Sequence, residues 1–246
     1  MREIFRKYAR FLVISCTIIV VQTNSITTDF FKRQPSSITV AYYKLNWNLN
    51  DSSWNNRNAT QSWWTITYPN SKYARFSSWY AKFNNWFPNT WWTTDNITIS
   101  LFARNISPSW WEANIFCVWQ DWTWDWRWQI LRYENWYLSM AVSKWSSWAS
   151  QQTNSYNVSI WERHHLVWTY SPANRQMKFY IDWVLKQTVS IQATMRISSV
   201  SAIWKTWNYS HSLNWDVCEI INEKALRSDE YVAKYYNKYK NIFNYT

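Results

Sequence analysis

The sequence contains no glycine, and its 246 residues include only 3 cysteines, 3 histidines and 5 prolines. Without glycine no phosphate-cradling loop can be read. None of the cysteines forms a C-x-x-C pair that would suit a metal, and no Cys-His or Ser-His-Asp arrangement can be argued. His164-His165 is the only histidine pair, and neighbouring strand positions point to opposite faces, so the two do not readily share a metal. A histidine packed in or near the core is the expected role. The longest apolar run, residues 11–21, has eleven residues, fewer than the roughly 20 that a membrane helix needs. No dense basic block appears, although the formal net charge is +11.

What the chain has instead is aromatic residues, at 21%, with 24 tryptophans. At average usage about 7% of residues would be glycine. The tryptophans occupy the places where those glycines belong. They follow asparagine at Asn46-Trp47, Asn85-Trp86, Asn135-Trp136 and Asn214-Trp215, and aspartate at Asp121-Trp122, Asp125-Trp126 and Asp182-Trp183. Asn-Gly and Asp-Gly are turn dipeptides because glycine reaches φ > 0 without a Cβ clash. A large indole has no comparable reason to be there. A gene that uses UGA for glycine, read with UGA as tryptophan, gives this pattern, provided that nearly every glycine codon is UGA. The alternative is a tryptophan-rich protein with aromatic platforms for sugars. Recoding predicts that Trp47, Trp122, Trp183 and Trp215 lie in exposed turns, several with positive φ.

Residues 1–10 carry four basic residues and one acid, ahead of the apolar run 11–21. This is the pattern of a secretory signal, with an uncleaved membrane anchor as the alternative. Residues 1–25 are therefore read as signal peptide or N-terminal hydrophobic helix, and 26–36 as a polar linker. The expected localisation is secreted or cell-surface. Cys117 and Cys218 remain in the body of the chain, as one disulfide or as two buried thiols.

From residue 37 onward, short β-type runs alternate with turn clusters. The strand candidates are Ile38–Leu45, Asn96–Asn105, Ile115–Val118, Gln129–Tyr133, Tyr137–Val142, His164–Tyr170, Gln176–Ile181, Val184–Ile191 and Asp216–Asn222. A short helix is expected over Ser228–Asn237, capped by Ser228 with Asp229 and Glu230 in its first turn. The spacing implies one all-β domain, a two-sheet antiparallel jelly-roll sandwich spanning 37–246.

With glycine restored at the tryptophans, four segments carry a resemblance. Tyr42–Asn55 reads YYKLNGNLNDSSGN, Glu162–Tyr170 reads ERHHLVGTY, and Lys178–Val184 reads KFYIDGV. The fourth, Leu213–Leu226, provides a closing strand and the start of a helix. In this order they resemble the laminin G-like and concanavalin A-like lectin-glucanase superfamily. The resemblance implies a jelly roll that binds carbohydrate or protein through edges and loops, often with structural calcium. Where that pattern tends to have Asp immediately before Glu219, this chain has Cys218.

Enzymes of that superfamily carry an E-x-D-x-E or E-x-D-x-x-E strand, and no such string exists here, so a non-catalytic role is expected. Asn48, Asp51 and Glu219 are the candidate calcium ligands, with an ordinary Asx-stabilised turn as the competing role of the 46–53 loop. Asp121, Asp125 and Arg127 are the candidate ligand-binding residues, on a loop that could equally be a hairpin tip. Expected partners are a carbohydrate or an extracellular protein, and the membrane through residues 11–21. Nucleic acid is not expected, because basic residues interleaved with aromatics are few.

Overall fold

The computed structural model describes residues 36–243 except 62–65, 70–71, 78–80, 85–94, 106–112, 120–127, 135–136, 140, 145–146, 153, 155, 159–161, 191–199 and 206–213. The chain divides into two compact units, Met1–Ser36 and Ser37–Thr246, and the second carries the described fold. The expected signal peptide or N-terminal hydrophobic helix of residues 1–25 lies outside the described residues.

Two seven-stranded antiparallel sheets make up the domain. The first contains β1 (Thr39–Tyr43), β3 (Ala74–Ser77), β5 (Ile97–Asn105), β12 (Arg163–Ser171), β13 (Gln176–Ile181), β14 (Val184–Ser190) and β16 (Asn214–Glu223). Its order is β1-β16-β5-β12-β13-β14, and β3 also pairs with β16. The second contains β2 (Ala59–Gln61), β4 (Ala81–Asn84), β6 (Ala113–Trp119), β7 (Trp128–Glu134), β8 (Tyr137–Ser139), β11 (Tyr156–Asn157) and β15 (Val200–Lys205). Its order is β11-β8-β7-β6-β15-β4-β2. A separate hairpin joins β9 (Ala141–Lys144) to β10 (Ser147–Gln152). The expected single strand over Tyr137–Val142 is thus two strands, β8 and β9. The chain forms an all-β sandwich with one C-terminal helix, α1 (Asp229–Phe243).

Strand alternation builds the core. Ile97, Ile99, Leu101 and Ala103 of β5 face the interior together with Leu166, Trp168 and Tyr170 of β12 and Met177, Phe179 and Ile181 of β13. Period-two spacing puts these residues on one face of the first sheet. Tyr156 of β11 and Ala59 of β2 pack against the same cluster from the second sheet. Trp168 is fully buried, stacked on Tyr170 with centroids 6.0 Å apart.

The tryptophans divide between two environments. Trp47, Trp54 and Trp183 are 63%, 74% and 48% exposed, and Trp183 has φ 68°. With Asp182 at φ 50°, it forms the two-residue connection between β13 and β14. Positive φ at both central residues is the type I′ hairpin geometry. Trp215 corrects the turn expectation: it lies inside β16 and is only 2% exposed. Trp122 lies outside the described residues. Cys218 is a free, buried thiol, which removes the disulfide alternative, and burial pushes its pKa up to about 12.

The other face of the first sheet is covered by α1. Val232 packs on Val167 and Tyr180, and Tyr235 lies against Phe102 and His165. Ser228 caps the helix, its Oγ accepting from the Tyr231 N–H at 3.2 Å. The helix runs six residues beyond the sequence expectation, because tyrosines at 235 and 239 continue its sheet-facing stripe. Asp229 anchors its first turn, accepting from Lys178 Nζ at 2.7 Å and Tyr180 Oη at 2.8 Å.

Those two hydrogen bonds, Lys178 first, hold the Asp229 carboxyl below its ordinary value. A carboxylate favoured in the folded state contributes stability above its unfolded pKa, about 3.9, and loses it as pH falls through the lower folded value. Asp229→Asn is therefore expected to lower stability at neutral pH and to flatten the acid side of the stability profile. Urea midpoints at pH 7, 4 and 3 check this. Parallel profiles for the two proteins would remove the contact as an anchor of α1.

Candidate functional site

The loop after β1 is organised by one carboxylate. Asp51 Oδ1 accepts from the Tyr42 N–H at 2.9 Å and the Ser53 N–H at 2.8 Å. Its Oδ2 accepts from Ser53 Oγ at 2.6 Å and the Arg57 N–H at 2.9 Å. Asn58 Oδ1 accepts from the Asp51 N–H, and Asn48 Oδ1 from the Asn50 N–H. This Asx-rich turn closes over the edge of β1. Beneath it Tyr43 donates its hydroxyl to the Arg57 carbonyl, and burial followed by the nearby Asp51 charge raises its phenol above the ordinary value.

The acids of β16 are likewise engaged. Glu219 is buried and accepts from the Tyr235 hydroxyl of α1. Glu223 takes a two-pronged bond from Arg227, at 2.7 Å from Nε and 2.6 Å from Nη2. Asp216 is fully buried, accepting from Arg75 Nε at 2.8 Å, Arg75 Nη2 at 3.1 Å and Arg104 Nη2 at 2.6 Å. A buried carboxylate needs such partners, and stripping one away costs about 3–5 kcal/mol.

Asp216 belongs to a row that crosses four strands. Arg75 of β3 stands opposite Asp216 of β16, Asp216 opposite Arg104 of β5, and Arg104 opposite Arg163 of β12. The neighbours of Arg75, Asp216 and Arg104 along their strands (Ala74, Phe76, Trp215, Val217 and Ala103) are core residues, so the row lies on the opposite face. The Tyr73 ring lies 5.6 Å from the Arg75 guanidinium, 6.0 Å from that of Arg104 and 5.3 Å from that of Arg163. The hydrogen bonds that Arg75 donates to Asp216 raise its guanidinium above its ordinary value.

The two neighbouring histidines take separate roles. His165 is buried, stacked on Phe102 at 4.3 Å with Nε2 2.8 Å from Ser100 Oγ. His164 Nδ1 lies 2.6 Å from Asp182 Oδ2, while Asp182 Oδ1 accepts from the His165 N–H at 2.9 Å. The hairpin aspartate thereby fixes the entry to β12.

Of the candidate calcium ligands, Asn48 is exposed, Asp51 is filled by four protein donors, and Glu219 is engaged by α1. Among the described residues no group of three or more His, Cys, Asp or Glu could hold a metal ion. Asp121, Asp125 and Arg127 lie outside the described residues. The arginine row escaped the sequence reading. Its only linear signals are isolated arginines in strand runs, and cross-strand register alone brings them together.

No protein-family model matches the chain, and no curated protein matches it significantly. Solved structures do. One, of botulinum neurotoxin type C, concerns cell entry dependent upon two ganglioside molecules; it has TM-score 0.65 and 12% identity over 85% of this chain and 52% of that one. A second is the binding domain of botulinum neurotoxin DC in complex with rat synaptotagmin II, with TM-score 0.65 and 12% identity over 81% and 51%. A third, a serotype D ligand-binding domain in complex with N-acetylneuraminic acid, has TM-score 0.60 and 14% identity over 81% and 50%. The chain spans about half the length of these neighbours. At such identities the likeness is one of fold.

Asp51→Ala removes the acceptor of four donors, at about 1 kcal/mol each. The expected loss is about 4 kcal/mol in a denaturant titration. Because the oxygens are already filled, chelation of calcium is expected to leave Tm unchanged. A fall of several degrees on chelation would restore a cation to the 46–53 loop.

Proposed function

We propose that this chain is an exported, non-catalytic recognition module that binds a carbohydrate or a protein partner at the cell surface. The fold likeness carries the reading: the similar structures include binding domains, and the ligands named with them are gangliosides, N-acetylneuraminic acid and synaptotagmin II. The β16 carboxylates support the non-catalytic half. A glycan-cleaving site needs two carboxyl groups free to act as acid and as nucleophile or base. Asp216, Glu219 and Glu223 are instead committed to Arg75 and Arg104, to Tyr235 and to Arg227. Export and surface location rest on the basic-then-apolar pattern of residues 1–21.

The full chain is expected to retain a subset of glycans on an immobilised panel and to release no reducing ends from them. Turnover of any polysaccharide would overturn the non-catalytic reading. Failure to bind any glycan would leave the protein-partner branch, tested by binding to extracellular domains of defined sequence.

The tryptophan positions support a second reading, that these letters stand for glycine in the natural protein. The type I′ turn at Asp182-Trp183 favours it, since φ 68° suits glycine far better than a bulky side chain. The Trp168 indole Nε1, buried without a hydrogen-bond partner among the described residues, points the same way. Peptide masses of the native protein across Lys178–Leu185 are expected to carry glycine at position 183. A tryptophan mass there would end the recoding reading.

A further inference from the structure

We propose that the solvent-facing side of the C-terminal half of α1 binds an acidic saccharide, a hydroxyl-rich chain that carries sulfate or carboxylate groups. The proposal rests on the recognition reading and gives it a site. Residues 231–243 hold three lysines, Lys234, Lys238 and Lys240, and no acid. Asp229 and Glu230 bound this basic stretch at the start of the helix. Other cations of the domain serve the fold: Arg75 and Arg104 meet Asp216, Lys178 meets Asp229, Lys224 meets Asp95, and Arg227 meets Glu223. Among the described residues none of the three α1 lysines pairs with a carboxylate. Their neighbours are neutral. Lys238 Nζ lies 5.2 Å from the Tyr239 ring, and Lys240 Nζ lies 5.5 Å from the Tyr236 ring and donates to Asn237 Oδ1 at 3.0 Å.

Helix physics does not account for this arrangement. Lys234 and Lys238 are both exposed and stand four positions apart, where like charges weaken a helix. The helix dipole favours a cation in the last turn, which is Lys240, and fades before the other two. A bound polyanion turns the repulsion into attraction at both positions. At 100° per residue, Asn237 and Asn241 fall between the Lys234–Lys238 flank and Lys240, and both are exposed. The strip from Lys234 to Lys240 is about 9 Å long, at 1.5 Å per residue. Ammonium groups supply charge, while the amides both donate to and accept from hydroxyls. That mixture suits a saccharide whose anionic groups alternate with hydroxyls. A bilayer fits less well, because a helix held in a membrane surface buries its apolar face there. In α1 that face, with Val232, Tyr235 and Tyr239, is already buried within the protein.

The test is calorimetric titration of the full chain with a sulfated dextran oligosaccharide, an oligogalacturonate, neutral dextran of the same length, phosphatidylserine vesicles and a single-stranded oligonucleotide. At least one of the acidic saccharides is expected to bind about ten or more times more tightly than neutral dextran, with affinity falling as salt rises. It is also expected to bind more tightly than the vesicles or the oligonucleotide. Lys234→Gln combined with Lys238→Gln is expected to weaken that binding by about tenfold or more, with Tm unchanged or slightly raised, since both side chains are exposed. Lys44→Gln combined with Arg175→Asn removes the same amount of charge elsewhere, and is expected to change the affinity by less than about threefold. Equal losses from the two double variants trace the binding to the net charge of +11 and overturn the site. Equal binding of acidic and neutral saccharides, or binding untouched by the lysine substitutions, overturns it as well. Preference for the vesicles or the oligonucleotide gives the patch a different partner and overturns the saccharide. In these cases the recognition reading stands on whatever glycans the immobilised panel retains. Silence across every saccharide, neutral ones included, removes the carbohydrate branch of that reading along with the site.

Discussion

Asp216 and Glu219 lie on the same face of β16 although an odd number of positions separates them. In an unbroken strand, side chains three apart point to opposite faces, and one of these carboxylates would enter the core. The β16–β5 register shifts between Val217 and Glu219, with Val217 opposite Ala103 and Glu219 opposite Phe102. Cys218 is the extra residue of this bulge. The core parity set by Trp215 and Val217 thereby passes to Ile220, while both acids stay on the outer face. Asp216 can then meet two arginines, and Glu219 can meet the helix. Cys218 is buried at the bulge, and burial pushes its thiol up to about 12, so it stays neutral there.

The bulge also separates two uses of the outer face. Toward the C-terminal end of β16, Glu219 receives Tyr235, and Glu223 receives Arg227, whose guanidinium lies 4.0 Å from the Tyr231 ring. Thr98 Oγ1 donates to the Ala225 carbonyl at 2.7 Å and accepts from the Arg227 N–H at 3.1 Å, tying the strand-to-helix connection to β5. That half of the face is closed by α1. Toward the other end lies the arginine row, where Arg75 is partly exposed.

Much of this architecture was legible in the sequence, because strands with clean alternation announce themselves. Gln176–Ile181 and Val184–Ser190, joined by Asp182-Trp183, carry both the period and the turn signal. The Ser228 cap likewise marked the start of α1. The short strands β2, β3 and β4 gave no such signal, and β3 alone brings Arg75 to Asp216, 141 positions away. Asp51 was singled out for its oxygens, yet those oxygens serve the chain's own N–H groups. The sequence shows that a carboxylate lies in a polar loop, but not which donors will reach it. Asp121, Asp125 and Arg127 keep the ligand-binding role read from their loop as a proposal.

The tryptophans set the limit of local reasoning most clearly. At Asp182-Trp183 the dipeptide implied a turn, and the backbone takes the left-handed φ that such a turn demands. At Asn214-Trp215 the same kind of dipeptide sits inside β16, with Trp215 in the core and Asn214 opposite Ser77 of β3. The residues after each dipeptide make the difference. Trp183 leads into a strand of largely exposed residues, whereas Trp215 leads into Asp216-Val217, whose buried charge and core valine need β3 and β5 on either side. A turn at Trp215 would pull Asp216 out of register with both Arg75 and Arg104 and leave a carboxylate without its partners. That electrostatic demand outweighs a dipeptide preference, since leaving a buried charge unpaired costs about 3–5 kcal/mol.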